Sequence, residues 1–411
     1  MRAIDLNVTQ GIHGFQANKT AYSEGPDGGR DAHVRLVRSG FRCPGCGRAD
    51  VAVYAERERE VAGLPVGRTR LVLHVTVHRI YCPGCGEAHY EQIPFLPSPT
   101  ARVTRQMERT ILDLRRAMSV SAVAGHFGLP WHTVKNIEKR ALGRKYARVR
   151  LRDVRRIGID ELYVFRHEQA DEKYVTVVRD LDTGAVLEVA RGKGEAALAR
   201  FSRRIRRYCR KIEMVCMDMS NAYSAWVVKN LRNADVVFDH FHVIKAVNDR
   251  LDKVRRRVSR DMDAATREAV KGNRRLFLRN AEKLAPDEAA ALARARELCR
   301  PLSDAYMLKE RLRSIYASAW GEADAAALLE EWCALADGTG LPEMAGMGKT
   351  VRRHFSGILA FWRHGGATNA SQEGFNNKIR WLIGQAYGSR DYEYFRLKIF
   401  DLPSTSIRKA I

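Results

Sequence analysis

The sequence predicts a multidomain protein: a small cysteine-bearing β domain, an all-α domain, and an α/β core interrupted by a long helical segment. Paired cysteines flank strand-like alternation between positions 43 and 85, and helical periodicity replaces it from 103 to 141. Strand-like runs that alternate with helices begin at position 156, and residues 245–362 are almost wholly helical in pattern. With 411 residues, the chain is long enough for about three domains.

The charge balance indicates a polyanionic partner. Lys and Arg number 71 against 48 Asp and Glu, so the formal net charge is +23. The excess is concentrated in three basic runs at 140–156, 200–211 and 250–260. Each run alone is typical of a solvated helix face, but together they favour a nucleic acid. A membrane surface is the competing polyanion, yet no run of about 18 apolar residues exists. We therefore expect a soluble, cytoplasmic protein associated with the nucleoid, with no membrane partner.

Four of the eight cysteines form two identical motifs, Cys43-Pro-Gly-Cys46 and Cys82-Pro-Gly-Cys85. Each tight Pro-Gly turn directs two thiolates at one point, and two such turns complete a tetrahedral Zn²⁺ site. The strand-like alternation between the motifs makes residues 1–97 an N-terminal segment with a zinc ribbon. Two disulfides, or one redox Cys-x-x-Cys, are the alternatives. The expected intracellular setting disfavours the first, and the duplication disfavours the second.

Residues 98–150 have the pattern of a helix-turn-helix domain. A linker with three prolines, 93–99, precedes a predicted helix at 103–117. A short helix then ends at Gly128, and helical spacing resumes with Val134. The outward face of this second helix carries side chains able to contact bases and phosphates: His132, Thr133, Lys135, Asn136 and Lys139. Basic residues that follow would contact the DNA backbone: Arg148, Arg150 and Arg152. An αα-hairpin in a protein-interaction domain is the alternative.

From residue 151 to 244 the order of elements predicts a ribonuclease-H-like core. Three strands form a meander, and helices then alternate with two further strands; the five predicted strands are 156–165, 174–179, 185–190, 214–218 and 235–239. In that fold the first and fourth strands are neighbours. Asp160 and Asp218 would therefore lie side by side, at strand ends where the sites of open α/β sheets gather.

The third candidate carboxylate, Glu373, lies much further along the chain. Residues 245–365 form the predicted helical insertion, because the 373 − 218 = 155 positions between Asp218 and Glu373 are too many for a loop. Residues 366–411 then complete the core. Glu373 shares a helical stripe with Asn376, Asn377 and Arg380, and we expect the last two to contact DNA. Carboxylate oxygens suit Mg²⁺ or Mn²⁺, and paired metals catalyse in-line phosphoryl transfer.

These features together resemble the bacterial DDE transposases of the ISL3 insertion-sequence family, from about Phe41 to Phe400. The pieces that carry the resemblance are 158–162, 217–220, 238–245 and 368–380 followed by Ala386-Tyr-Gly388. The resemblance implies that Asp160, Asp218 and Glu373 are the catalytic, metal-binding triad. Asp239 and His242 match a motif that flanks the site, and His240 stands where the family usually has Arg. The first 40 residues match no pattern that we could place.

The resemblance also implies a function. Such an enzyme binds the terminal inverted repeats of an insertion sequence, cleaves at the ends and joins the 3′-OH to target DNA. Its partner is double-stranded DNA, on which it acts as a homodimer or higher oligomer. Two alternatives remain: a structure-specific nuclease of the same fold, and a zinc-ribbon and helix-turn-helix transcriptional regulator. Strand transfer into a second duplex discriminates among the three.

Overall fold

The computed structural model describes residues 10–25, 28–38, 40–165, 170–367, 370–385 and 391–403. The motif positions 368–369 and 386–388 therefore lie outside the described residues. The chain divides into two compact units, Met1–Ala147 and Arg148–Ile411. No helix within the described ranges combines the length and the apolar character needed to cross a membrane.

The first unit contains a five-stranded sheet. Its strands are β1 (Gln16–Glu24), β2 (Arg30–Val37), β3 (Ala52–Val66), β4 (Thr69–Cys82) and β5 (Glu87–Tyr90). The order is β1-β2-β4-β3, with β5 also paired to β4. The alternation predicted for β4 is confirmed, because one face of the strand is buried: Leu71, Leu73, Val75 and Val77. This burial makes β4 the central strand of the domain core.

Two features of this unit differ from expectation. No element is predicted from the pattern of the first 40 residues, but β1 and β2 lie there, and β2 runs parallel to β4. The predicted linker at 93–99 is not a spacer, since Ile93, Phe95 and Leu96 are buried in the sheet's core. Phe95 contacts Phe15 edge to face, with ring centroids 5.2 Å apart. Burying the apolar side chains between the prolines stabilises the fold more than leaving them exposed in an extended linker would.

Three helices follow the sheet in the described part of the first unit: α1 (Arg105–Leu114), α2 (Val120–Phe127) and α3 (Trp131–Lys145). Ser119 caps α2, and Gly128 ends it in the left-handed conformation at φ 62°. Glycine is favoured there because it has no Cβ. Val123, Val134 and Ile137 are buried between the helices. The predicted short helix, glycine turn and second helix are thus present.

The second unit contains a mixed five-stranded sheet of β6 (Arg156–Tyr163), β7 (Tyr174–Asp180), β8 (Val186–Arg191), β9 (Met214–Met217) and β10 (Asp235–Phe238). The order is β10-β9-β6-β7-β8. The meander β6-β7-β8 is antiparallel, whereas β9 pairs in parallel with β6, and β10 with β9. The predicted contact between the first and fourth strands is confirmed. The helices between the strands are α4 (Gly194–Ile205) and α5 (Asn221–Asn230).

Helices dominate the rest of the described chain. They are α6 (His240–Val258), α7 (Ala264–Gly272), α8 (Arg274–Leu278), α9 (Pro286–Leu298), α10 (Arg300–Ser318), α11 (Glu322–Gly338), α12 (Pro342–Arg353), α13 (Phe355–Arg363), α14 (Ala370–Gln385) and α15 (Tyr392–Asp401). Short 3₁₀ turns lie at Ala170–Lys173, Cys209–Lys211 and Ala281–Lys283. Buried side chains such as Leu312 and Trp332 belong to the same hydrophobic cluster as the strand residues Ile159 and Met217. Sheet and helices therefore share one core.

Candidate functional site

Asp160 and Asp218 lie next to each other because of the parallel register of β6 and β9. Gly158 is opposite Cys216 in that register, and both aspartates lie two residues further along their chains. Asp218 comes directly after the last residue of β9. The backbone N–H of Glu161 donates to Asp160 Oδ1 at 2.8 Å, which orients this carboxylate. The pair of carboxylates expected from the sequence is therefore assembled at one edge of the sheet.

His242 joins the two aspartates at the centre of the site. Its Nε2 lies 2.5 Å from Asp218 Oδ1, and ligand atoms of His242, Asp160 and Asp218 all lie within 4.8 Å of one another. Burial lowers the pKa of His242, but the hydrogen bond and charge of Asp218 outweigh burial and raise it overall. The sequence motif predicts this histidine only beside the site. The sequence feature that points to a place within the site is the position of His242 in the first helical turn after a strand end.

Asp239 has a structural role at the start of α6. It directly follows β10, is 3% exposed, and its side chain accepts a hydrogen bond from the backbone N–H of Phe241 at 3.3 Å. This is an N-cap, which satisfies an otherwise unpaired N–H of the helix. The capped turn carries His242. Asp239 therefore positions the histidine from beside the two catalytic candidates.

Helix α14 contacts Asp160 through Asn376. Its Nδ2 donates to Asp160 Oδ2, while its buried Oδ1 has no hydrogen-bond partner within the described chain. Arg179 on β7 lies over the ring of the neighbouring Phe375, 4.3 Å from its centroid. Glu373 precedes Asn376 by one turn and is exposed, outside the cluster of Asp160, Asp218 and His242. Helical spacing predicts that Asn376 shares a stripe with Glu373, but it does not predict the contact with Asp160.

The electrostatics of the pair favour a bound cation. Burial raises the pKa of Asp160, and the negative charge of Asp218 raises it further, although the hydrogen bond from Asn376 acts in the opposite direction. Two adjacent carboxylates repel each other unless a positive charge lies between them. Carboxylate and amide oxygens are ligands that hard divalent cations accept. The donor set of Asp160, Asp218 and the unpaired Asn376 oxygen therefore fits such a cation.

The four motif cysteines converge in the first unit. Sγ of Cys43 lies 3.6 Å from Sγ of Cys85, and Cys46 Sγ lies 3.5 Å from Cys82 Sγ. A tetrahedral zinc site with Zn–S bonds of about 2.3 Å places its sulfurs about 3.8 Å apart. The backbone N–H of Cys46 lowers the pKa of the Cys43 thiol to about 6, whereas side-chain hydrogen bonds with Cys46 and Cys43 raise the pKa of the Cys85 thiol to about 12. A cation is therefore needed to hold all four as thiolates. Gly47 and Gly86 end the two turns at φ 78° and 70°. The four residues fit zinc.

The residues predicted to bind DNA occupy two regions of the structure. On α3, His132 and Asn136 are exposed, whereas the rest are partly exposed: Thr133, Lys135 and Lys139. The arginines beyond α3 are exposed: Arg148, Arg150 and Arg152. On α14, the exposed Arg380 donates to Asn377 Oδ1 at 2.7 Å, so these two side chains face solvent together. The buried face of α3 packs Val134 and Ile137, which orients the first set outward.

Comparison with known families finds matches in both units of the chain, and all of them are to transposases. Residues 157–399 match a transposase model of the DDE type in family ISL3. Residues 91–142 match the helix-turn-helix domain of transposase family ISL3. Residues 39–85 match the zinc-finger of the transposases of IS204, IS1001, IS1096 and IS1165. The three matches cover both the candidate catalytic residues and the four cysteines.

Two transposases of insertion sequences are similar to this chain over most of its length. The chain is 29% identical over 396 residues to the transposase for insertion sequence element IS1001 of Bordetella parapertussis, covering 95% of both chains. It is 29% identical to the transposase for IS1557 of Mycobacterium tuberculosis, covering 85% of this chain and 82% of that one. Among solved structures, the Drosophila P element transposase strand transfer complex shares 12% identity at a TM-score of 0.38, over 77% of this chain and 96% of that chain.

Proposed function

Because the chain belongs to the ISL3 family of transposases, we propose that one site, built by Asp160, Asp218 and Glu373, performs both end cleavage and strand transfer. The chain is a DDE transposase, an enzyme that acts on DNA. In the proposed reaction it binds the terminal inverted repeats of its element and cleaves at the ends. It then joins the liberated 3′-OH to target DNA.

One observation carries this proposal: the hydrogen bond from Asn376 to Asp160. The bond holds α14 against the strand that bears the first aspartate. Glu373 lies three residues earlier on the same helix, and side chains three apart are neighbours on a helix surface, with Cβ atoms about 5–6 Å apart. The carboxylate of Glu373 would therefore complete the acidic set next to Asp160 and Asp218.

Each residue has a separable role in the proposed reaction. Asp160 and Asp218 supply anionic oxygens, and His242 holds Asp218 through their 2.5 Å contact. Asn376 orients Asp160 by donating to its Oδ2. Mg²⁺ or Mn²⁺, when bound to these oxygens, would stabilise the entering and leaving oxygens of an in-line displacement. Asn377 and Arg380, exposed on the same helix, would bind the phosphates next to the reacting one.

Recognition of the element ends is assigned to the first unit. Helix α3 would lie in the major groove, with His132 and Asn136 presented to base edges. Lys135, Lys139 and the arginines beyond α3 would contact phosphates, which set register but not sequence. Zn²⁺ held by the four cysteines would stabilise the ribbon, since structural zinc contributes folding free energy directly.

The core is proposed to be ribonuclease-H-like, with the helices between about 245 and 365 inserted before Glu373. The strand order β10-β9-β6-β7-β8 and the parallel pairs at β9 support this. We assign to the insertion the assembly of two or more protomers on paired ends. Because its buried side chains share one core with the sheet, the test reverses the charge of several of its exposed residues rather than excising it. These variants should bind single ends like the wild type but fail to form a paired-end complex, which a native gel would detect.

The reaction itself can be tested directly. The purified full-length protein is incubated with Mg²⁺, a duplex carrying the element's end and flanking DNA, and a plasmid target, and the products are sequenced. Joined products with the element's 3′ end in the plasmid are expected. Cleaved ends without joining would identify a nuclease, and binding without either product would identify a regulator. Asp249→Ala, an exposed aspartate on α6 outside the site, is the matched control and should react like the wild type.

A further inference from the structure

A second basic site lies in the catalytic unit, away from the carboxylates. It is a cavity of about 530 Å³ lined by Cys209, Arg210, Lys229, Asn230, Arg232 and Asn233. Its residues belong to the two segments that immediately precede β9 and β10. Because β9 and β10 are parallel, both segments lie at the same edge of the sheet. Asp218 and Asp239 follow the other ends of these strands.

The cavity carries uncompensated positive charge. Arg210 and Arg232 are exposed, and neither guanidinium has an acidic partner within the described chain. Arg206 and Arg207, in the turn after α4, are exposed and likewise without one there. Lys229 is the exception, since its Nζ lies 2.7 Å from Glu195 Oε1. Other arginines of this unit, such as Arg294 and Arg353, also have no acidic partner in the described chain, but here four such arginines occupy the two segments that precede β9 and β10.

The nearest acids in the chain are engaged elsewhere. Glu213, which precedes β9, pairs with Arg155 at 2.6 Å. Asp235, the first residue of β10, lies 2.9 Å from His364 and 3.3 Å from Arg363. Among the described residues, Arg210 and Arg232 therefore have no counter-ion, although two carboxylates lie close to them in sequence. An external anion can supply the negative charge that balances these two arginines.

The cavity is too far from the reaction centre to hold the reacting phosphate. The strands β9 and β10 each have four residues, and a strand rises about 3.3 Å per residue. About 13 Å therefore separate the cavity's edge of the sheet from the carboxylates' edge. A phosphate bound by Arg210 or Arg232 must belong to a different stretch of nucleic acid from the one being cut.

We propose that this cavity, together with Arg206 and Arg207, binds the phosphate backbone of duplex DNA outside the reacting segment. Guanidinium groups match phosphate oxygens with two parallel N–H donors. The amides of Asn230 and Asn233 already donate to the backbone oxygens of Trp226 and Arg210, so each has one N–H left to offer a phosphate. Such contacts carry no sequence information, so the surface would bind any duplex. It would do so whether or not Glu373 is the third catalytic carboxylate.

The first test measures how DNA affinity depends on salt. In the full-length protein, without added divalent metal, Arg206→Gln, Arg210→Gln and Arg232→Gln are combined and tested on a duplex of arbitrary sequence. The slope of log K against log salt should fall by about 0.9 for each phosphate that is no longer bound, hence by roughly 2–3. The matched control replaces three exposed arginines on β2 and β3, outside both α3 and the insertion, by Gln: Arg30, Arg35 and Arg57. Its slope should equal that of the wild type.

An unchanged slope in the cavity variant, or an equal fall in the control, would overturn the proposal. So would a slope that changes on an RNA duplex but not on DNA. The test is independent of catalysis: an enzyme that never joins DNA can still show the cavity-specific change, and an active one can fail to show it.

Cys209 provides a second measurement that needs no substitution. This thiol lines the cavity and is partly exposed, so a maleimide should alkylate it in the native protein. Adding duplex DNA should slow alkylation of the peptide containing Cys209 in proportion to the fraction of protein bound, as measured by mass spectrometry. Inorganic phosphate at the same ionic strength should protect it far less. Equal alkylation with and without saturating DNA would contradict the proposal.

Discussion

The side-chain amide of Asn376 donates a hydrogen bond to the carboxylate of Asp160, joining two residues 216 positions apart in the chain. Asn376 is 7% exposed, and its own Oδ1 has no partner within the described chain. The contact fixes the helix of Glu373 against the strand of Asp160. Together with the packing of Arg179 on Phe375 and the ion pair of Arg396 with Glu188, it links the two parts of the proposed catalytic core.

Replacing this amide should impair catalysis without affecting recognition. Asn376→Ala removes a hydrogen bond to a charged group, which typically contributes about 1.5–3 kcal/mol. We expect cleavage to slow by about tenfold to a hundredfold, and the Mg²⁺ concentration for half-maximal rate to rise, because Asp160 loses its orientation. Single-turnover kinetics over a metal titration would measure both.

The neighbouring Asn377→Ala is the matched control for this experiment, since that residue is exposed and contacts Arg380. It should weaken DNA binding while leaving the metal dependence unchanged. Equal metal dependence in Asn376→Ala and the wild type would show that the amide does not position the metal-binding carboxylate.

Asp239 should affect stability as much as activity. Asp239→Ala removes the N-cap of α6 and should lower the free energy of unfolding by about 1 kcal/mol, whereas Asp239→Asn keeps a capping oxygen and should lose less. Both should slow the reaction without abolishing it, because His242 sits in the turn that Asp239 caps. Urea denaturation with parallel cleavage assays would test this. Equal stability of the two variants would rule out the capping role.

The cysteine site should bind zinc and depend on it for folding. Cys43→Ser or Cys85→Ser should abolish the stoichiometric zinc measured by elemental analysis and loosen the first unit, seen as faster proteolysis within it. Cys333→Ser, a buried cysteine of α11 outside the site, should retain zinc. Freshly purified wild type without zinc would refute the assignment.

Mutations should distinguish the contacts that read the DNA sequence from those that bind any duplex. Asn136→Ala should cost about 1–3 kcal/mol at its base pair and relax specificity there. Neutralising Arg148, Arg150 and Arg152 together should instead weaken binding to all duplexes alike and reduce the salt slope by about 0.9 for each phosphate that is no longer bound. Footprinting and fluorescence anisotropy would distinguish the two effects. An unaltered footprint for Asn136→Ala would show that a segment other than α3 contacts the bases.

The parts of this fold that the sequence could predict are those with local signals. The duplicated Cys-Pro-Gly-Cys turns, Gly128 and the apolar strands of the second unit each impose a backbone conformation, and the structure contains all of them. The neighbour relation of β6 and β9 also followed, because the order of elements allowed few topologies. The same relation predicts that Asp160 and Asp218 lie side by side.

The features of the structure that the sequence does not predict depend on tertiary context. The polar strand β1 is exposed throughout, so no burial periodicity marked it. Residues 93–99 looked like a spacer because three prolines dominate their local pattern, yet the intervening apolar side chains are drawn into the core. The contact between Asn376 and Asp160 could not be foreseen, since helical spacing shows which residues share a face but not which of them reaches a partner.

The most direct test of the proposed active site compares single variants of its three acids in one assay of cleavage and joining, with end binding measured in parallel. Asp160→Ala, Asp218→Ala and Glu373→Ala should each abolish both reactions while binding element ends as tightly as the wild type, or more tightly because a negative charge near the phosphates is lost. Asp239→Ala should remain slow but active. If instead Glu373→Ala is active and Asp239→Ala is not, the third catalytic carboxylate is Asp239, and the proposed role of α14 is wrong.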